Sequence, residues 1–519
     1  MIAALLAQVA GGGAGAGAGA GVDQLPPLRL PPVEYSAMVP QLVLMGAALL
    51  LLLLSSLTRT RPRAGTYALF TVVAGVVAGV ASWVSYRDVV DHGSYRAVAN
   101  ALVVDGFACF FFVLISVAVV FGALLADAYL RREDIDGPEF YVLLMLCSAG
   151  GMFMATANDL IVLFLGLEIL TIALFVLTAY HRRRLESQEA SMKYFILGAF
   201  SSALFLYGIA LTYGATGSTN LAEIGSYLAQ NVAPNDGLLL AGVVLLLVGL
   251  GFKVSAVPFH AWTPDVYQGA PSPVTGFMAA ASKAAGFAAL LRVFFSTFGL
   301  LQLDWKPLVW AMAVLTLLVG SVLALVQSDI KRMLAYSSIS HAGYVLIGLE
   351  AATSRGIAGS LYYLLAYTFM VLGSFGVVTL IGRRGDAKHD LDQYRGLGSR
   401  RPALALAFTV FLMAQAGIPF TTGFLAKFYV ISAAVESRSY ALALIGMVAA
   451  VAAAFVYLRV IVLMYTPLTD EESAALPRLR LPAGTTVVLA AAVAFTLAFG
   501  IVPQPIIHFA REASQHLLF

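Results

Sequence analysis

Five ionisable side chains lie deep inside otherwise apolar stretches of the sequence: Glu168, Lys253, Lys283, His341 and Lys427. Glu168 is the one charge in IVLFLGLEILTIALF, residues 161–175, and Lys283 stands alone in TGFMAAASKAAGFAALL. A charge held at the centre of a hydrocarbon layer costs about 2.5–3.5 kcal/mol, so each needs a compensating partner or a use. An acid, three amines and an imidazole share one capability, the uptake and release of a proton. Burial disfavours the charged forms of Glu168 and Lys253, whereas their mutual attraction favours them. Moving the two apart or together would therefore change which one holds the proton, and this reading makes Glu168 a switch on Lys253. The bland alternative is a static ion pair that only joins two helices. Lys283 lies ~15 Å along its helix from Ser272, too deep for its head to escape easily to an interface. His341, in YSSISHAGY beside Ser337, Ser338 and Ser340, is either a satisfied core histidine or a relay.

The elements that must carry these groups follow from the composition. The chain of 519 residues is 60% hydrophobic and 11% charged, far from the quarter charged of a soluble domain. Its apolar residues fall into fourteen runs centred near residues 48, 76, 111, 148, 169, 202, 247, 285, 316, 341, 369, 417, 453 and 496. Each is about 20 residues long, enough to cross ~30 Å of hydrocarbon as a helix. The runs are continuous rather than alternating, which selects helices over a barrel. The expected fold is an all-α polytopic membrane protein of about fourteen spans. Loops are short, so chemistry belongs inside the membrane, and neither a nucleotide fingerprint nor a nucleic-acid-binding pattern stands in a suitable context. Cys109 and Cys147 sit alone in apolar runs and are expected to pack rather than bind metal.

Two runs carry helix breakers beside a lysine. In LLVGLGFKVSAVPFHAW Lys253 precedes Pro258, and in AQAGIPFTTGFLAKFYVI Pro419 precedes Lys427. Proline removes a backbone donor and opens the helical ladder, so helices 7 and 12 should be discontinuous. If helices 4–8 and 9–13 are two inverted five-helix repeats, the broken helix falls fourth in each, the arrangement that marks an ion path. The domain reading is a Gly/Ala/Pro-rich extension over residues 1–34, helices 1–3 over 35–137, repeats over 138–300 and 301–468, and a loop with helix 14 over 469–519. Lys and Arg crowd alternate loops, among them Arg182, Arg183, Arg184, Lys331, Arg332, Arg400 and Arg401, against sparse loops holding Arg29, Arg96 and Arg355. The crowded set should be cytoplasmic, with both termini outside. Asp105, Asp159 and Asp329 are read as helix-end residues, Lys193 as part of the basic face, and Arg292 and Arg459 as reaching an interface, lipid or a neighbour.

Residues 252–292, FKVSAVPFHAWTPDVYQGAPSPVTGFMAAASKAAGFAALLR, together with SDIKRMLAYSSISHAGY and GIPFTTGFLAKFYV, resemble the proton-conducting membrane subunits of respiratory complex I and the related Mrp-type cation/proton antiporters. The resemblance spans roughly residues 100–470. It implies fourteen helices, inverted repeats at 4–8 and 9–13 and a hydrophilic axis in the membrane plane. Glu168, Lys253, Lys283 and Lys427 match the family's acid and lysines of helices 5, 7, 8 and 12, and His341 lies in the matching helix 10 motif. Phe420, after Pro419, departs from the proline or small apolar residue expected there, which bears on the local geometry of helix 12 and not on Lys427. The same resemblance implies a bacterial plasma-membrane location and neighbouring membrane subunits K and M. It implies that flavin, iron–sulfur clusters and quinone belong to partner subunits and that no cofactor belongs to this chain. An Mrp-type Na+/H+ antiporter subunit and a structural membrane scaffold remain the rival readings at this point.

Overall fold

The computed structural model describes residues 33–58, 63–231, 237–382, 384–386, 389–468 and 481–517. The expected extension over residues 1–34 therefore lies almost wholly outside the described residues, as does most of the loop before helix 14. The spans are α1 Val39–Leu57, α2 Thr66–His92, α3 Gly106–Arg132, α4 Pro138–Thr156, α5 Leu160–Thr178 and α6 Leu185–Thr216. Next come α7, in two arms Gly237–Lys253 and Trp262–Gly269, α8 Ser272–Thr297, α9 Gln302–Leu325, α10 Ile330–Ala351 and α11 Ser354–Ile381. α12 is again in two arms, Pro402–Ala416 and Thr422–Glu436, followed by α13 Tyr440–Tyr465, α14 Ala483–Ile501 and a short α15 Gln504–Gln515. Every one of the fourteen expected centres falls in one of α1–α14 or, at Gly417, in the break of α12.

Among the described residues eleven helices are long and apolar enough to cross a bilayer, and two further apolar ones, the first arms of α7 and α12, are shorter. α10 is long but too polar to count by hydropathy, for a physical reason. Every residue from Met333 to Ala351 is buried, so its Ser337, Ser338, Ser340 and His341 face protein and not lipid. The sequence reading missed a hairpin, β1 Tyr95–Ala97 and β2 Leu102–Val104, which pairs Tyr95 with Val104 between α2 and α3. It also left α15 unassigned.

Backbone hydrogen bonds mark the internal repeat. Leu160 N donates to Thr219 O at 2.9 Å and Leu221 N to Asn158 O at 2.8 Å, closing the start of α5 onto the turn after α6. Ile330 N donates to His389 O at 2.8 Å and Leu391 N to Ser328 O at 2.8 Å, closing the start of α10 onto the turn after α11. All four atoms of the second bracket come from residues 170 positions after those of the first. Asp159 and Asp329, in register, cap α5 and α10 by accepting from Ile161 N at 2.7 Å and Arg332 N at 2.9 Å. Five crossings separate the brackets, so they lie at opposite membrane faces and the second repeat is inverted relative to the first. Small residues bring the helices close, as lipid offers no hydrophobic drive between them. A Cβ on Gly150 would meet Gly166 O of α5 at 2.8 Å, and one on Gly320 would meet Ser340 N of α10 at 2.5 Å.

Candidate functional site

The break in α7 has backbone groups on either side of it satisfied by side chains of α9 and of its own second arm. Val257 N donates to Thr316 Oγ1 of α9 at 2.9 Å, and the Trp262 indole donates to Phe252 O at 3.0 Å. Lys253, the last residue of the first arm, is thereby held at mid-depth with 3% of its surface exposed. Its ammonium donates to Thr171 Oγ1 on α5 and reaches Tyr194 OH on α6 at 3.4 Å, with the Tyr194 ring 5.7 Å away. Its stem lies on α8, where a Cβ on Gly286 would sit 3.3 Å from Lys253 Cγ.

Lys283, one turn before Gly286, is equally buried and donates to both Ser338 O and Ser338 Oγ on α10 at 2.6 Å. Lys427, in the second arm of α12, donates to Gln415 O at 2.9 Å and Ala416 O at 2.8 Å, the last carbonyls of the first arm. A cation there completes the unsatisfied C-terminus of that arm and meets the negative end of its dipole. The Tyr344 ring lies 5.0 Å from the ammonium. Between Lys283 and Lys427 stands His341, whose Nδ1 is 2.6 Å from Tyr363 OH and whose Nε2 is 3.3 Å from Tyr457 OH. Tyr457 also bonds Ser337, and Ser337 reaches Gln415 Oε1 at 3.3 Å.

The sequence-derived residues are thus brought into one row, in the order Glu168, Lys253, Lys283, His341, Lys427. One expectation takes a different form. Glu168 and Lys253 make no ion pair within 4 Å among the described residues. Glu168 instead accepts from Ser202 of α6, while Lys253 is held one turn further along α5 by Thr171. The reason is placement: Glu168 is only partly buried, on a face that also exposes Leu165, Ile169 and Ile172, whereas Lys253 points into the bundle. A cavity of about 10 Å³ beside Lys253 is lined by Thr171 and by Ser202, the hydroxyl that donates to Glu168. That is close to the room one water needs.

Of the alternatives for Arg292, an interface, lipid or a neighbour, the structure shows a neighbour. Arg292 is 1% exposed and forks onto Asp105, with both guanidinium nitrogens 2.9 Å from the carboxylate oxygens, while Asp105 caps α3 at Ala108 N. Arg459 is exposed and donates to Leu325 O at 3.2 Å. Lys193 pairs with Asp265 at 2.9 Å and Glu189 at 2.7 Å. Phe420 takes φ +66° in the α12 break and is 74% exposed.

Sequence reasoning missed the uncharged members of the row: Thr171, Tyr194, Tyr363, Gln415 and Tyr457. It also missed a buried cluster at the starts of α8 and α10. There Asp386 accepts from Ser272 Oγ at 2.9 Å, Lys331 at 3.2 Å, His389 at 2.9 Å and Arg184 at 3.4 Å.

Comparison with known proteins agrees with this architecture. Residues 157–453, more than half of the chain, match the family model described as NADH:quinone oxidoreductase/Mrp antiporter, TM. NADH-quinone oxidoreductase subunit N of Trichlorobacter lovleyi is 42% identical over 483 residues, covering 93% of this chain and 97% of the relative. Subunit N of Mycobacterium tuberculosis is 40% identical over 94% of this chain and 99% of its own. A chain of respiratory complex I from Thermus thermophilus superposes with a TM-score of 0.76 at 30% identity, covering 90% of this chain and 98% of that one. A chain of the Mrp complex from Dietzia shares the fold with a TM-score of 0.82 at 20% identity over 93% of this chain and 97% of that one. With its broken helices, its inverted brackets and its row of buried lysines, the chain belongs to the NADH:quinone oxidoreductase/Mrp antiporter family of membrane subunits, alongside the subunit N proteins.

Proposed function

We propose that this chain translocates protons as a subunit-N-type component of the membrane arm of an NADH:quinone oxidoreductase. The observation that carries the reading is the row itself. Three lysines and an imidazole, each at most 5% exposed, lie on four different helices at mid-depth. The lysine ammoniums are held by hydroxyls and carbonyls, partners that bind the charged amine without a carboxylate to fix its charge. An amine so held can lose its proton without leaving a naked counter-ion behind, which a static ion pair cannot do.

In this reading Lys253 takes a proton from the cytoplasmic side. Glu168 influences it through Ser202, which donates to Glu168 and, with Thr171, lines the small cavity beside Lys253. Lys283 and His341 pass charge laterally, and Lys427 releases it outward. Electron transfer, with its flavin, iron–sulfur clusters and quinone, belongs to partner subunits, and membrane subunits K and M are the expected neighbours. The residue ranges 138–300 and 301–468 act as the two halves of the path. The bacterial inner membrane is its location, with the basic loops cytoplasmic and both termini outside.

The test is NADH-driven acidification in vesicles carrying Glu168→Gln or Lys283→Ala, with assembly followed on native gels. The expected result is an assembled complex whose pumping falls at least several-fold in Lys283→Ala and measurably in Glu168→Gln. Normal pumping in Lys283→Ala would remove it from the path.

A further inference from the structure

With the imidazole neutral, the hydrogen bonds around His341 have one consistent polarity, and it ends at a group that cannot carry a proton. Ser374 donates to Met370 O at 2.9 Å, so it accepts from the Gln415 amide nitrogen at 2.7 Å, and this fixes which way the amide faces. Gln415 Oε1 can only accept, so Ser337 donates to it and receives the hydroxyl proton of Tyr457. Tyr457 then has only a lone pair left for His341 Nε2, which must carry the ring proton. Nδ1 of the neutral ring accepts from Tyr363. Tyr363, His341, Tyr457 and Ser337 form a single file of donors all pointing toward Gln415.

Lys427 stands immediately beyond. Its ammonium binds the backbone oxygen of that same Gln415, whose side-chain oxygen ends the hydroxyl file. No hydrogen bond joins Lys427 to Ser337 or to His341 among the described residues. Gln415 is 1% exposed, in the last turn of the first arm of α12, and Gly417, at φ +90°, turns the chain directly behind it. The amide therefore separates two groups that each handle protons, while being unable at neutral pH to accept or release one itself.

We propose that the Gln415 side chain is a gate between the His341 file and Lys427, closed in this structure and opened when the amide swings away from Ser337 and Ser374. The proposal rests on the reading of the row as a proton path. With the amide withdrawn, a water between Ser337 and a neutral Lys427 completes the connection. Lys427 takes a proton from that water, the water takes one from Ser337, Ser337 from Tyr457, and Tyr457 from His341 Nε2. A proton arriving at Nδ1 restores the neutral ring in its other tautomer. The file is left pointing backwards, and its hydroxyls must turn before a second proton can pass. A closed gate thus prevents return flow during that reset. Gln415 touches the reacting hydroxyl without itself exchanging a proton, so it acts as a positioning residue.

The experiment uses the whole complex in proteoliposomes and measures two quantities. One is passive proton leak under an imposed pH gradient without NADH, and the other is protons moved per NADH oxidised. Gln415→Ala, which removes the barrier and leaves room for water, should raise the leak several-fold and lower the proton yield per NADH. Gln415→Leu, similar in volume but without hydrogen bonds, should keep the leak at the wild-type level and slow NADH-driven pumping. Adding Lys427→Ala to Gln415→Ala should return the leak to the wild-type level, because the opened route runs through that amine. A leak unchanged in Gln415→Ala, or one that persists in the double variant, would overturn the gate. Full pumping in Lys427→Ala alone would instead overturn the proton-path reading, so the two failures are distinguishable.

Discussion

A single side chain shows how differently charge is used at the edge of the bundle and along its axis. Asp386 is fully buried in the loop after α11, and burial, the largest influence on it, would raise its pKa. Lys331, His389 and Arg184 together outweigh that and hold the carboxyl well below the usual carboxylate range. It is a fixed anion that ties the start of α8 to the start of α10, and so sets where Lys283 meets Ser338. Asp386→Asn would leave the fully buried Lys331 without its counter-charge, and breaking such a pair costs about 3–5 kcal/mol. The sign of the pH dependence follows from the lowered value. The contribution is complete above the unfolded carboxyl pKa of about 3.9, and is lost as pH falls through the lower folded value. Thermal midpoints of wild type and variant should therefore differ by a constant amount from pH 8 to pH 5, and converge only in stronger acid. Convergence already between pH 7 and pH 5 would mean that the carboxyl is not held ionised. None of this cluster was legible in the sequence, where Asp386 stands in an ordinary basic loop. Glu168, Lys253, Lys283, His341 and Lys427 were legible because a charge among apolar residues has no cheap explanation. Gln415, Tyr363 and Tyr457 were not, since uncharged polar groups are inexpensive in a span and nothing in their spacing says which face they occupy.

At the scale of the element, the breaks were legible from proline and glycine, but their use was not. In α7 the lysine ends the arm before the break, whereas in α12 it lies beyond the break and folds back to complete the arm it left. The sequence shows the reversed order of lysine and proline but not that Lys427 binds carbonyls of its own helix. Gly417 makes that return possible. At φ +90° it adopts a backbone conformation that costs an ordinary L-residue roughly 1–2 kcal/mol, and a Cβ there would approach Lys427 Cδ to 2.9 Å. Gly417→Ala should therefore lower the thermal stability of the complex by about that amount and depress pumping as Lys427 is pushed off its carbonyls. Gly417→Asn separates the two causes. Asparagine tolerates the left-handed region, so it should recover much of the stability while pumping stays low. Equal recovery of both would mean that only backbone strain mattered. The β1–β2 hairpin escaped sequence reading for a simpler reason. Two three-residue strands carry too little alternation to stand out beside spans of about twenty residues.

The whole molecule has a face that its own chain does not explain. Glu168 lies near the middle of α5, a helix of 19 residues, yet it is only partly buried and is flanked by Leu165 at 54% exposure and Ile172 at 58%. Lipid against this surface would leave a carboxylate at the centre of the bilayer with one serine for company, an arrangement the cost of a mid-membrane charge disfavours. The other buried charges of the row have their needs met inside the bundle. The apolar collar around Glu168 has the character of a helix-packing surface, so a neighbouring membrane subunit should cover it, bringing a polar or cationic group to Glu168. A photo-reactive residue that attacks C–H bonds can distinguish the two environments in the intact complex. With p-benzoylphenylalanine in place of Ile172, irradiation should give an adduct with one other membrane subunit, visible as a single heavier band and identifiable by mass spectrometry. Adducts with phospholipid alone would place this face against the bilayer. The influence of Glu168 on Lys253 would then come from within this chain rather than from the subunit beside it.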